Sequence, residues 1–423
     1  MKVVILNTFE SFGGAAIACK RLMIALQKKG IEVTMFVRDK KSDNISIISI
    51  NRNIILKTIN ILRFVLERFL ILVNNHFSRN NLYTVSIANT GNDISDEKVI
   101  KEADIIHIHW INQGFLSLQD LKKLTELGKP IVWTMHDMWP ITGICHHSRE
   151  CIKFTNECGQ CFLIQSKKDN DLSHKFFLLK RKAVFSNTNI TFVGCSAWLY
   201  YKAKISGLSK KQNILSIPNP IDINRFKVIN KFSACKNLEL PDNKKLLLFG
   251  AANLTDKRKG IDYLIDAINE LKKYSFYPEL CLVVFGHAKK EFMELINIPV
   301  YSMGYLSQPE KIVMLYNAVD LFIIPSLEEN LPNTIMESMA CGTPCVGFNV
   351  GGIPEMIDHK KNGYVAEYKN AKDLAEGIHW VFNKVDYDAL SDNARKKAES
   401  TYNEDIVATQ YIELYKSLYK RND

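Results

Sequence analysis

Proline and a disulfide-type cysteine pattern are what this sequence most lacks. It holds 12 Pro and 20 Gly in 423 residues, concentrated nowhere, which excludes collagen-like, low-complexity and disordered classes. Ten cysteines are too few and too scattered for a disulfide scaffold. The opening MKVVILNTFESFGG has six residues before polar and glycine positions intervene, so no secretory signal is readable, and a reducing cytoplasm is expected. The longest apolar stretch, residues 54–73, carries four charges, which argues against a membrane-spanning helix.

What is present is an ordinary globular composition, 47% hydrophobic and 24% charged. The length exceeds one hydrophobic core and suits two domains of roughly 200 residues. The formal charge of +10 is unevenly placed: residues 1–220 hold 30 Lys and Arg against 17 Asp and Glu, and the remainder is slightly acidic. Such asymmetry points to a nucleic acid, an anionic bilayer or an anionic small substrate, unless it is only a solvated surface.

Short β-branched runs alternate with helical patterns, the sign of βαβ units and parallel sheets. Val3–Leu6, Val33–Val37, Ile105–His109, Ile131–Thr134 and Ile190–Val193 form one set. Two prolines in Ile217-Pro218-Asn219-Pro220-Ile221-Asp222 break the rhythm. It restarts with Leu246–Phe249, Cys281–Phe285, Leu321–Ile324 and Pro344–Gly347. The expected fold is α/β, with two Rossmann-like, doubly wound domains at 1–218 and 219–401. A terminal helix, 402–420, with Ile406, Tyr411, Leu414, Tyr415 and Leu418 on one pattern, is expected to pack back, the first domain being favoured. Ligands of such sheets bind at the carboxyl ends of the strands.

After Pro325-Ser326 comes a loop with Glu329, then a helix pattern with Pro332 at its start, Glu337 within it and Gly342 at its stop. Two carboxylates beside a helix N-terminus suit a nucleotide-sugar: the free N–H groups favour phosphate and the carboxylates accept sugar and ribose hydroxyls. Alone, two glutamates eight apart would read as surface charge.

Glu329-x7-Glu337, followed by Ala340-Cys341-Gly342-Thr343-Pro344 and Gly351-Gly352-Ile353-Pro354-Glu355, closely resembles the donor-site signature of the GT-B glycosyltransferases of retaining family GT4. Phe12-Gly13-Gly14-Ala15 resembles the family's glycine-rich loop, Pro218–Asp222 its linker, and Lys259-Gly260-Ile261-Asp262 its phosphate-binding lysine segment. Trp133–Pro140, with the cysteines after it, looks like the subgroup that builds bacterial capsule, O-antigen and colanic-acid-type polysaccharides. The resemblance covers nearly the whole chain. It implies GT-B architecture, two domains facing across a cleft, and transfer of a sugar from a nucleotide-sugar, UDP-linked in preference to GDP-linked, to a lipid-linked or saccharide acceptor.

Residue by residue, the resemblance makes Glu337 the ribose ligand, Glu329 the carboxylate facing the donor sugar, and Lys259 the cation on the leaving diphosphate. The amides of Asn330 and Leu331 fall near that sugar, Asn330 standing where the family has glycine. The family's arginine before the lysine is displaced by an apparent insertion in Ala251–Arg258, which leaves Arg258 or Lys257 to substitute. Gly13 and Gly14 permit close approach of an anion, though a tight turn is the simpler reading. His136 ends a strand where the family places a histidine beside the transferred sugar. His107 and His109 share one strand face and read as packing or acceptor-side residues. The implied reaction is same-face attack, the leaving phosphate helping to deprotonate the acceptor hydroxyl. No enzyme nucleophile and no catalytic metal or other cofactor is implied.

Two segments lie outside that core. Residues 54–73 gather Lys57, Asn60, Arg63, Glu67 and Arg68 on one arc, leaving a wide apolar face with a basic edge. That fits an interfacial helix on the anionic inner membrane surface, so peripheral attachment is expected; burial against the first domain is the alternative. Cys145, Cys151, Cys158 and Cys161 have spacing that suits a structural Zn site, free thiols being the alternative and His146 and His147 spare ligands. A non-hydrolysing sugar-nucleotide epimerase would share the architecture. A nucleic-acid binder would use the basic half, but no RNP-like or recognition-helix pattern appears, so nucleic acid is not an expected partner.

Overall fold

The structure, a computed structural model, describes residues 1–187, 189–287, 293–306 and 308–420, with Ala252 as backbone alone. It divides into two compact units, Met1–Pro218 with Val407–Asp423, and Asn219–Ile406.

The first unit has seven parallel strands: β1 (Lys2–Phe9), β2 (Glu32–Asp39), β3 (Ile47–Ser49), β4 (Ile105–Ile108), β5 (Ile131–Met135), β6 (Ile190–Gly194) and β7 (Asn213–Ser216), in the order β3-β2-β1-β4-β5-β6-β7. Parallel pairing requires crossovers that cover both faces, so central strands are apolar on both sides. On β1, Val4 and Leu6 join one core with Phe36, Ile106 and Trp133. Val3 and Ile5 join the other with Leu22, Met35 and Val132. The strand order reverses between β1 and β4, where Val3 pairs with Ile105 and Leu6 with Ile108. Such a switch point leaves a crevice at the carboxyl ends of the strands.

The C-terminal helix, Glu404–Tyr419, completes the second of these cores with Val407, Tyr411, Leu414 and Tyr415. Ile406, expected to face inward, is exposed, and Val407 takes the buried position.

The second unit has β8 (Lys245–Asn253), β9 (Leu280–His287), β10 (Val300–Ser302), β11 (Leu321–Ile324), β12 (Cys345–Phe348) and β13 (Gly363–Ala366), all parallel, in the order β10-β9-β8-β11-β12-β13. Its switch point is between β8 and β11, with Leu247 opposite Leu321. The pairing of β8 with β9 becomes irregular between Gly250 and Asn253, where the sequence shows its apparent insertion.

The strands absent from the sequence reading are the edges β3, β7, β10 and β13. On β7 only Ile214 is buried, so the strand has no apolar run to announce it. The Ile54–Asn74 helix forms with Asn53 as its N-cap, its side chain accepting from Leu56 N at 2.9 Å. Its orientation departs from the expected basic edge: Asn60, Glu67 and Arg68 are turned inward and buried.

Candidate active site

In the second unit the candidate residues meet at the carboxyl ends of the two switch-point strands. After β8, Asp256 accepts from Arg258 N at 2.9 Å and caps a short turn, Lys257–Lys259, which ends at Gly260 with φ 70°. A Cβ at Gly260 would stand 1.7 Å from Pro325 O, so only glycine lets this turn approach the end of β11 so closely. Leu327 N donates to Arg258 O at 2.8 Å and joins the two loops. Lys259 Nζ pairs with Glu329 Oε1, which also accepts from Ser326 Oγ at 3.1 Å. Arg258 Nη1 lies 3.9 Å from the same carboxylate oxygen and donates to Glu328 O at 3.1 Å. Two cations and one carboxylate thus share one loop pair.

Gly351, with φ 59°, lies against this loop: a Cβ there would sit 1.8 Å from Glu329 O. Gly352 N donates to Asn330 O at 2.9 Å. Asn330 itself is buried and is absent from the left-handed backbone residues, so this position does not require glycine. Leu331 is buried beside it. The helix Asn333–Ala340 starts after Pro332 and carries Glu337 on its second turn, buried, with Tyr316 Oη donating to Glu337 Oε2 at 3.3 Å. Burial pushes the Tyr316 pKa well up, and Glu337 adds to it, so the phenol keeps its proton and serves as a donor. The array offers cations and helix N–H groups to a diphosphate and carboxylates to hydroxyls.

In the first unit, Gly13 caps the helix Gly14–Lys28 with φ 87°, a conformation that favours glycine, while a Cβ there would meet open space. The sequence reading missed Glu10 nearby. It is buried, pairs with Lys20 at 2.7 Å and accepts from Lys41 N and Ser42 N at 2.6 and 2.9 Å, pinning the segment after β2 next to the start of that helix.

His136 follows β5 and is half-buried. Its Nε2 lies 2.8 Å from His109 Nδ1 and the two rings stack 5.1 Å apart. His107 continues the column 4.3 Å from His109 and is held by Thr134 Oγ1 at 2.8 Å and Tyr415 Oη at 2.7 Å. Burial pushes His136 down to about 4 and His107 to about 3, so the column is neutral at physiological pH. His107 is thus a packing residue on the face covered by the C-terminal helix, and His109 Nε2 is buried without a partner among the described residues.

Asp137 is the second residue that sequence reasoning missed. It accepts from Trp110 Nε1 at 3.0 Å and Trp139 N at 2.8 Å, and it faces His146 Nδ1 at 2.7 Å. Burial pushes its pKa up, but His146 and the other donors overcome this and bring it to about 2. His146 Nε2 meets Ser86 Oγ at 2.9 Å, and its ring stacks on Trp110. His146 thus braces the loop beside His136.

Cys145, Cys158 and Cys161 pack against the first core, and Cys158 Sγ accepts from Gly143 N at 3.3 Å. Cys145, Cys151, Cys158 and Cys161 are all free thiols. Among the described residues no group of three or more His, Cys, Asp or Glu side chains is arranged to hold a metal ion. Burial pushes the Cys158 thiol up to about 12. Lys180, fully buried, donates to Trp139 O at 2.5 Å and Thr142 O at 2.9 Å and ties down the start of this loop.

Residues 12–225 match the family model described as Glycosyltransferase Family 4, and residues 243–384 the one described as Glycosyl transferases group 1. A Campylobacter jejuni N,N'-diacetylbacillosaminyl-diphospho-undecaprenol alpha-1,3-N-acetylgalactosaminyltransferase is 34% identical over 191 residues, 44% of this chain and 48% of that protein. The chain spans about half the length of the first curated relatives it matches. Among solved structures, the sucrose-phosphate synthase of Thermosynechococcus elongatus superposes with a TM-score of 0.68 at 17% identity over 100% of both chains. The Anabaena protein HepE in complex with UDP does so with a TM-score of 0.65 at 17% identity, over 99% of this chain and 100% of that one.

Proposed function

Because this chain belongs to glycosyltransferase family 4, we propose that it transfers a sugar, with retention of configuration, from a nucleotide-sugar to a lipid-linked or saccharide acceptor in bacterial surface polysaccharide biosynthesis. A UDP-sugar is favoured over a GDP-sugar as the donor, in keeping with the UDP held by HepE, a protein of the same fold. The undecaprenol-linked substrate named for the Campylobacter relative supports the lipid-linked acceptor.

The observation that carries the reading is the Lys259–Glu329 pair with Arg258 beside it, next to the helix that bears Glu337. In the donor-free state Lys259 neutralises Glu329. A bound diphosphate gives Lys259 and Arg258 a second anion to face, and Glu329 then accepts from the sugar hydroxyls. As the acceptor oxygen bonds to the anomeric carbon, the bond to the diphosphate breaks, and the acceptor proton passes to the departing phosphate oxygen. Charge grows on that oxygen in the transition state, where Lys259 stabilises it most. His136 orients the sugar. On this reading the cations replace a resident metal, and the enzyme works at the inner face of the cytoplasmic membrane. Among the described residues no helix is long and apolar enough to cross a membrane.

The test is a panel of UDP- and GDP-sugars with released nucleotide as the readout. Acceptor-dependent release of UDP from one donor, with the product anomer unchanged, is the expected result. Epimerised nucleotide-sugar without acceptor, or no release from any donor, would overturn it.

A further inference from the structure

An ordinary surface helix buries its apolar stripe and shows its polar face to water. The Ile54–Asn74 helix does the reverse. Glu67 Oε1 accepts from Ile87 N at 2.7 Å and Ala88 N at 2.9 Å, and Arg68 donates to Leu82 O at 2.5 Å and Val85 O at 2.9 Å. The two side chains also pair with each other at 2.9 Å. Asn60 donates to Asn51 Oδ1 and accepts from Asn92 Nδ2. Rotating the helix to hide its apolar face would leave the amides of Ile87 and Ala88 and the carbonyls of Leu82 and Val85 without these partners, so its orientation is fixed.

The outward face is consequently apolar. Ile55, Leu62, Val65, Leu66, Phe69 and Val73 recur at helical spacing, with Leu62 61% and Phe69 53% exposed. Phe77 and Tyr83 extend it past the helix end. This is more contiguous apolar surface than a water-facing helix carries without a partner.

Charge identifies the partner. From Asn44 to Asn92 the sequence carries five Lys and Arg and one acid, Glu67, which is 1% exposed. Lys57 and Arg79 are exposed at the borders of the stripe. An apolar strip edged by cations, with no exposed carboxylate of its own, matches acyl chains bordered by acidic headgroups. A second copy docking through the same face would bring like charges together.

We infer that the Ile54–Asn74 helix is a docking surface for an anionic bilayer, lying in the interface with its apolar stripe among the outer acyl carbons and Lys57 and Arg79 among the headgroups. The inference deepens the membrane placement proposed above but does not depend on the identity of donor or acceptor.

Sedimentation with vesicles of phosphatidylglycerol and phosphatidylethanolamine, against phosphatidylcholine alone, tests it. The parent should pellet with the anionic vesicles, and the double substitution Val65→Asp with Phe69→Asp should lower the partition coefficient by at least about tenfold. Both residues are exposed, so the thermal melt and nucleotide release with a soluble acceptor should stay near parent values. As a second readout that does not risk the fold, the indole introduced by Leu62→Trp should be quenched by brominated anionic lipid. Equal pelleting of parent and variant, or no quenching, would overturn the inference while leaving the glycosyltransferase reading intact. A parent dimer that becomes monomeric in the double variant without vesicles would also overturn it, assigning the stripe to a second copy.

Discussion

His146 Nδ1 stands 2.7 Å from Asp137 Oδ2, and through that contact the residue next to His136 is tied to Ser86, sixty positions upstream of His146. Asp137 has a fixed position because three donors converge on it, including Trp110 Nε1. The backbone of His136 is fixed with it.

Asp137→Asn keeps the shape but weakens the attraction to His146 and loses an acceptor. On the proposed function His136 is displaced relative to the sugar, and kcat should fall by on the order of tenfold to a hundredfold with donor KM nearly unchanged. His146→Gln, which retains a polar contact, should fall less. Steady-state kinetics with a saturating acceptor decide this. A rise in donor KM with intact kcat would assign the loop to donor binding instead.

The Lys259–Glu329 pair gives a prediction of another kind. Lys259→Ala removes a cation whose interaction strengthens as the leaving group departs, so it should cost about 3 kcal/mol in the barrier, roughly a hundredfold in kcat, and raise donor KM less. Glu329→Gln should also lower kcat. Arg258 remains 3.9 Å from that carboxylate in the lysine variant, so the melting temperature should hold. Near-normal turnover in both variants would show that the pair is structural.

Much of the fold is legible in the sequence because central parallel strands are buried on both faces. Runs such as Val3–Leu6 and Ile131–Thr134 cannot be anything half-exposed, whereas Asn213–Ser216 is recognisable only once it pairs with β6. The candidate site is legible for a similar reason: Glu329 and Glu337 lie within one strand-loop-helix segment, from Leu321–Ile324 to Asn333–Ala340, so their spacing is their geometry. Asp137 and Glu10 are different. Their partners, Trp110 and His146 for one and Lys41 and Ser42 for the other, come from separate loops, and no local pattern announces them. The Ile54–Asn74 helix shows a third limit. Its spacing reveals two faces, but which one turns inward is decided by the backbone amides of Ile87 and Ala88 that Glu67 meets.

Glu337 and Tyr316 separate binding from chemistry. Tyr316 Oη donates to the carboxylate assigned to the ribose, so Tyr316→Phe removes one donor that positions Glu337. Donor KM should rise several-fold, on the order of 1 kcal/mol, with kcat retained. Glu337→Ala should weaken donor binding further. Direct titration with the nucleotide diphosphate provides the check; unchanged affinity in both variants would remove Glu337 from the binding site.

The last prediction concerns acid stability. Burial alone would push the Glu10 pKa up, but Lys20, Ser42 and the amides of Lys41 and Ser42 stabilise the carboxylate more strongly and bring it down to about 2. Unfolding restores the ordinary value of 4.5, so the folded state binds the proton less well than the unfolded chain. The contribution to stability is therefore complete above about pH 4.5 and fades as the pH falls toward about 2. Glu10→Gln removes that linkage: the melting temperature should fall at pH 7, where a charge-assisted network worth roughly 2 kcal/mol is lost, and the decline from pH 5 to 3 should become shallower than in the parent. Lys20→Met should raise the folded-state Glu10 pKa, so that its acid decline still begins near pH 4.5 but is smaller and ends at a higher pH than in the parent. Melting curves across that range test both, and superimposable pH profiles for the parent and Glu10→Gln would show that Glu10 titrates alike in the folded and unfolded chain.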